Sequence, residues 1–221
     1  MSFCAEQLER VAAVWQRMLN HGFLIGTRDG SISDDTFATW MRQDYLFVEA
    51  AIPFLAAMIP RAPAAHIGPL TETIAAFHKE LALFRERAEV AGVDLTDVRP
   101  TFVNHAYVQF LLASAYRESY AGAYTVLYAA EKAYYDSWTV VKEGIDPGST
   151  WYPFVENWAG DAFAGYVAYL EGELDALAED VGSAERARMA ALFELTAKYE
   201  LAFWEMALTG STWPGLGGDP R

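Results

Sequence analysis

Apolar side chains recur every three or four positions along almost the whole chain, and no stretch alternates with period two between hairpin-type turns. That pattern predicts an all-α protein. A first helix is expected over about Ala5–Asn20, followed by a break at Gly26–Gly30. Ser33-Asp34-Asp35 offers N-caps for a second helix running through Trp40 and Asp44 toward Ala57, with a kink at Pro53. Pro60 and Pro63 mark a loop, and a third helix is expected to open near Gly68-Pro69, run to about Ala91 and stop at Gly92. Pro100-Thr101 opens a fourth, to about Tyr120. The fifth covers about Ala123–Lys142, the sixth Tyr152–Glu179, and the last Ser183–Leu208. The segment Trp213–Pro220 is rich in turn formers and is expected to be loose from about residue 210. No repeat and no linker divides the sequence, so residues 1–221 are expected to form one domain.

The 221 residues are 53% hydrophobic and 14% aromatic, enough for one sizeable core. A net charge of −14 and the lack of any Lys/Arg cluster argue against nucleic acid as a partner. No apolar run is long enough to span a bilayer, so no membrane partner is expected. Met1-Ser2-Phe3-Cys4-Ala5-Glu6 has no basic segment followed by an apolar run, which points to a cytoplasmic protein. Cys4 is the only cysteine, which leaves no internal disulfide and no multi-cysteine metal site.

Three carboxylates lie in aromatic, apolar stretches: Asp44 near Trp40 and Phe47, Glu131 among Tyr124, Tyr128, Tyr134, Tyr135 and Trp138, and Glu200 beside Tyr199, Phe203 and Trp204. Burying a carboxylate is costly unless it is paired or hydrogen-bonded, so three in such settings point to a polar pocket lined by rings. Asp44 and Phe47 share a helix face, and an acid among rings can accept the amino hydrogens of a planar heteroaromatic. The plainer reading of Asp44 is a solvated or structural acid, and the plainer reading of the aromatic stripe around Glu131 is core. Lys132, next to Glu131 in sequence, lies on a different face and is not its natural partner. Glu200 and Glu205 are five apart, so one is expected inside and one outside; the flanking Phe203 and Trp204 favour Glu200 inside. His21, His66, His78 and His105 do not form the Glu-x-x-His pairs of metal-binding bundles, so neither metal nor cofactor is expected. Gly-x-Ser-x-Gly elbows and Gly-rich phosphate loops are absent from the sequence.

One set of residues goes further. His21-x-Phe23, Gly30, Phe37, Trp40, Gln43-Asp44-Tyr45-x-Phe47, Asn104-x-Ala106-Tyr107, Trp158-Ala159-x-x-x-Phe163 and Tyr199-Glu200-x-x-Phe203-Trp204-x-Met206-Ala207 together resemble the TenA family. That family is also called thiaminase II and has a haem-oxygenase-like helical bundle. The similarity runs from the first helix to about Leu208, and it is carried by the order and spacing of the pieces.

The resemblance implies a pocket for the aminopyrimidine half of thiamin and a hydrolytic activity in thiamin salvage. Asp44 would hold the ring's amino group and nitrogen, with Phe47 and Tyr107 packed on or near the ring. Tyr135, Trp158 and Phe203 would complete the substrate contacts, Trp158 standing where many members place a tyrosine. Glu200 would be the acid/base near the leaving group. Thiaminase members carry a Pro-Cys nucleophile in the fifth helix, whereas this chain reads Ala130-Glu131 and resembles a cysteine-lacking, glutamate-bearing branch. A departing amine must be protonated, unlike the thiazole of thiamin, so a site without a thiolate needs carboxylates that move protons. Glu200 as acid and Glu131 as base for water meet that need, and burial among rings raises a glutamate's pKa toward neutrality. Aminomethyl- or formylaminomethyl-pyrimidine is then expected to be a better substrate than thiamin. The rival readings are a cofactor-free oxidase resembling the PQQ-synthesis protein, a haem oxygenase, and a non-catalytic pyrimidine-binding protein. A homo-oligomer, tetramer or dimer, follows from the resemblance.

Overall fold

The computed structural model describes residues 1–215, and among them every regular element is a helix. The ten α-helices are α1 (Phe3–Arg10), α2 (Ala12–Leu19), α3 (Gly22–Asp29), α4 (Asp34–Met58), α5 (Ala64–Ala91), α6 (Phe102–Arg117), α7 (Tyr120–Lys142), α8 (Tyr152–Trp158), α9 (Asp161–Glu179) and α10 (Ser183–Thr209). A 3₁₀ turn, Ile59–Arg61, separates α4 from α5.

Caps explain most of the boundaries. Ser2 Oγ accepts from the Ala5 N–H, Ser33 Oγ from Thr36 N–H and Thr101 Oγ1 from Asn104 N–H. The sequence placed a break at Gly26–Gly30, but α3 runs through Gly26. His21 starts it by accepting the Phe23 N–H on Nδ1, and Gly30, at φ 76°, ends it in the left-handed conformation. The expected first helix is two segments bent at Val11, where the amide ladder continues, with Val11 N–H bonded to the Gln7 carbonyl and Trp15 N–H to that of Val11. Helix α5 opens at Ala64, one turn before the Gly68-Pro69 pair expected to start it, and carries Pro69 inside. Pro69 lies early in the helix and lacks only one N–H donor, a loss this long helix tolerates.

The expected sixth helix is also two. At Ala159-Gly160 the backbone turns extended, Gly160 adopting φ −86° and ψ 165°, and Asp161 supplies an acid in the first turn of α9. A Cβ on Gly160 would run into the carbonyl oxygen of Glu156, so this corner demands glycine for space.

The chain divides into two compact units: residues 1–32 with 121–204, and residues 33–120 with the described residues from 205 on. In the first, α1 packs against α9, and rings build the core: Trp15 stacks on Phe193 at 6.0 Å, and Tyr128 lies 6.1 Å from the same ring. Cys4, expected to precede the first helix, lies within α1 and is fully buried. Its N–H donates to Asp175 Oδ1 at 2.8 Å and its thiol to the Glu171 carbonyl, while Tyr128 donates its hydroxyl to Glu171 Oε2 at 3.0 Å.

In the second unit α4 packs on both α5 and α6. Trp40 is fully buried between Phe37 (4.8 Å) and Phe84 (5.7 Å). Arg61 donates to the carbonyls of Ala115 and Glu118 at the end of α6, satisfying acceptors that the helix terminus leaves over. The segment expected to be loose is held at its start. Trp213 donates its indole N–H to the Pro100 carbonyl at 3.2 Å and packs on Phe102 and His105, each 5.5 Å away. The remainder of that segment, residues 216–221, lies outside the described residues.

Candidate active site

Among the described residues four acids are buried, Asp44, Glu80, Glu131 and Glu200, with exposures of 0%, 8%, 8% and 1%. Three of them are the carboxylates singled out by their aromatic settings. The fourth, Glu80 on α5, lies in the mixed run Phe77-His78-Lys79-Glu80-Leu81, which gives no signal of burial.

In the second unit, α4 carries Asp44 and Phe47 and α6 carries Tyr107. The Phe47 and Tyr107 rings lie 4.8 Å apart at 45°, a tilted pair. Tyr107 is buried and Phe47 half-buried. Residues that the site reading left out hold the two helices in register. Asn104 Nδ2 donates to the carbonyl of Gln43 at 2.7 Å and to Gln43 Oε1 at 2.9 Å. Gln43 Oε1 also accepts the Thr101 N–H at 3.0 Å, and Gln43 Nε2 donates to the Arg99 carbonyl at 3.0 Å. Gln43 stands between Arg42 and Asp44 and Asn104 between Val103 and His105, so the local sequence gives no sign of a buried amide network; the two residues stand out only as parts of Gln43-Asp44-Tyr45-x-Phe47 and Asn104-x-Ala106-Tyr107.

In the first unit Glu131 sits on α7, Trp158 at the end of α8, and Glu200 and Phe203 on α10. The rings form a continuous cluster. Trp158 stacks on Phe154 (5.7 Å, 8°) and on Trp138 (5.3 Å, 25°) and meets Tyr134 edge-on at 5.5 Å. Tyr134 in turn stacks on Trp204 at 5.4 Å, and Trp204 on Phe23 at 5.2 Å. Phe203 meets Trp204 edge-on at 6.3 Å. Tyr134, rather than Tyr135, joins this cluster. Tyr135 is half-buried, lies 6.4 Å from Phe163 and carries the Lys132 ammonium 5.7 Å above its ring. Lys132 itself pairs with Asp136 at 2.6 Å, one turn on, and Asp136 also accepts the Trp15 indole N–H at 2.9 Å. Glu205 is exposed and Glu200 buried, as the flanking aromatics indicate.

Burial first, and then the neighbouring Asp175 carboxylate, push Cys4 well above the ordinary thiol range, and a thiol that stays protonated is a poor nucleophile. Among the described residues no group of three or more His, Cys, Asp and Glu is arranged to hold a metal, and no helix is long and apolar enough to cross a membrane.

Residues 8–210 match the model of the TENA/THI-4/PQQC family. The chain belongs to that family. Its relatives include an aminopyrimidine aminohydrolase from Halalkalibacterium halodurans, 28% identical over 96% of this chain and 98% of that protein. Among solved structures, a TenA homologue from Pyrococcus furiosus superposes with a TM-score of 0.90 at 33% identity, covering 93% of this chain and 99% of that one. A domain with a heme oxygenase-like fold from Shewanella denitrificans gives 0.75 at 13% identity over 94% of this chain and 92% of its own, which shows the fold alone. The TENA/THI-4/PQQC chain described here is therefore an all-α bundle of the haem-oxygenase-like kind, in agreement with the period-3.6 pattern.

Proposed function

We propose that this protein is a cysteine-free aminopyrimidine hydrolase of the TenA type, working in thiamin salvage without a metal or organic cofactor. The observation that carries this reading is the burial of Asp44, Glu131 and Glu200 on aromatic helices of a chain whose family relatives include aminopyrimidine aminohydrolases. Asp44 accepts the ring's N–H groups, with Phe47 and Tyr107 as its aromatic walls. Trp158, Phe203 and Tyr135 contribute further substrate contacts. Glu131 takes a proton from the attacking water, and Glu200 delivers one to the departing nitrogen. No thiolate takes part, in keeping with the burial of Cys4, which pushes its thiol pKa up.

The preferred substrate is aminomethyl- or formylaminomethyl-pyrimidine rather than thiamin, because protonating an amine is the work two carboxylates can do. A single catalytic domain is the reading supported by the chain path. The second unit interrupts the first at Ser33 and is left at Tyr120, so neither unit is a separable stretch of sequence. The protein is proposed to be cytoplasmic, in line with its single cysteine. It is also proposed to be a homo-oligomer, as the family resemblance implies. Incubating the protein with each pyrimidine and with thiamin, and following ammonia, formate and thiazole release, tests the assignment. Release of ammonia or formate is expected to exceed thiazole release; thiazole as the main product, or no turnover of any of the three, overturns it.

A further inference from the structure

Asn104 is fully buried, and its amide is oriented by its neighbours. Nδ2 faces two acceptors, the Gln43 carbonyl and Gln43 Oε1, so the reverse orientation would set oxygen against oxygen twice. The carbonyl it grips belongs to the peptide link between Gln43 and Asp44. Gln43 in turn clamps the start of α6 through the Thr101 N–H and the Arg99 carbonyl. Two uncharged side chains thus fix the height of Asp44 on α4 against that of Tyr107, which lies one turn beyond Asn104 on α6.

Both Nδ2 hydrogens are spent on Gln43, while Asn104 Oδ1, also buried, meets no donor from the protein, so the side chain is tied to its surroundings through Gln43 alone. Replacing Asn104 by leucine would orphan nothing on the other side. The Gln43 carbonyl stays in the helical ladder, and Gln43 Oε1 keeps the Thr101 N–H. What the bridge adds to plain packing is the geometry it imposes between α4 and α6.

We propose that Gln43 and Asn104 are positioning residues that set the Asp44 carboxylate for ring recognition, an inference that rests on the role of Asp44 proposed above. The pair makes no contact with substrate and acts through Asp44. Its effect must therefore vanish when Asp44 can no longer do its work.

A double-mutant cycle tests this. Wild type, Asn104→Leu, Asp44→Asn and the double variant are titrated calorimetrically with an aminomethylpyrimidine, and each is melted. Asn104→Leu is expected to melt within about 3 °C of wild type and to bind roughly three- to tenfold more weakly. In the Asp44→Asn background the same change is expected to alter affinity by less than about twofold. Unchanged affinity of Asn104→Leu, or the same loss in both backgrounds, overturns the proposal in favour of a purely structural bridge. Should Asn104→Leu not fold, Gln43→Met is taken through the same cycle; failure of both to fold overturns the proposal as well, since the pair would then be indispensable to packing. Wild type that does not bind the pyrimidine overturns the functional reading itself. Wild type whose binding survives Asp44→Asn removes the role of Asp44 and this inference with it, while leaving the enzyme assignment standing.

Discussion

Asp44 is completely buried on a helix that also carries the half-buried Phe47, and a ligand that donates to this carboxylate makes a charge-assisted hydrogen bond shielded from water. Asp44→Asn is expected to cost about 1.5–3 kcal/mol of binding to an aminopyrimidine, roughly tenfold or more in Kd, read by calorimetric titration. Equal affinities would remove Asp44 from recognition. Cys4 makes the opposite case. Its thiol is buried under Asp175 and Glu171 and pushed up in pKa, so Cys4→Ser is expected to leave turnover unchanged and to affect only the melting temperature. Loss of turnover in a folded Cys4→Ser protein would show the nucleophile to be misplaced. These carboxylates were legible because an acid flanked by rings at helical spacing contradicts the ordinary polar face of a helix. Glu80 was not, since His78 and Lys79 give its stretch the appearance of a solvated surface. Tyr134 and Tyr135 are adjacent, and spacing alone could not tell which one turns toward Trp158.

Elements were read well where caps and long periodic runs agreed, as at Ser33, Thr101 and Gly92. They were misread where glycine and proline have two meanings. Gly26 and Pro69 looked like boundaries, yet both lie inside helices, because a single weak helix former is outweighed by the packing of the rest of the element. Gly160 is the reverse case: one glycine inside an apparently continuous pattern hides a corner, and the reason is the Glu156 carbonyl that a side chain would strike. Gly160→Ala is therefore expected to destabilise by about 1–3 kcal/mol, since backbone rather than a flexible side chain has to give way. For a chain of this size that is a fall in Tm of roughly 2–4 °C per kcal/mol. The corner also sets where Trp158, two residues earlier, meets Trp138 and Tyr134. The same variant is thus expected to lower kcat/KM by more than its melting temperature explains; a normal melting curve would show that α8 and α9 can part at this point without strain.

Over the whole molecule the proposed roles divide along the chain: recognition by residues of 33–120, proton transfer by residues of 121–204. Composition alone could argue against nucleic acid for a chain of charge −14, but could not name a partner. The aminopyrimidine ring is what the family resemblance implies, a resemblance carried by the order and spacing of short motifs along the chain. The division has a kinetic signature. Water must be deprotonated and the departing nitrogen protonated, so Glu131→Gln and Glu200→Gln are each expected to lower kcat by roughly a hundredfold or more. The pyrimidine ring is still held through Asp44, so the dissociation constant should change far less than the rate in both variants. Asp44→Asn should show the converse, a large loss of affinity with a smaller loss of kcat once the enzyme is saturated. Single-turnover rates and calorimetric affinities for the three variants, on aminomethyl- and formylaminomethyl-pyrimidine and on thiamin, separate the two effects. Normal rates in both glutamate variants would place the chemistry elsewhere. Thiamin as the best substrate would mean that the leaving group needs no proton, which removes the reason for the acid role of Glu200.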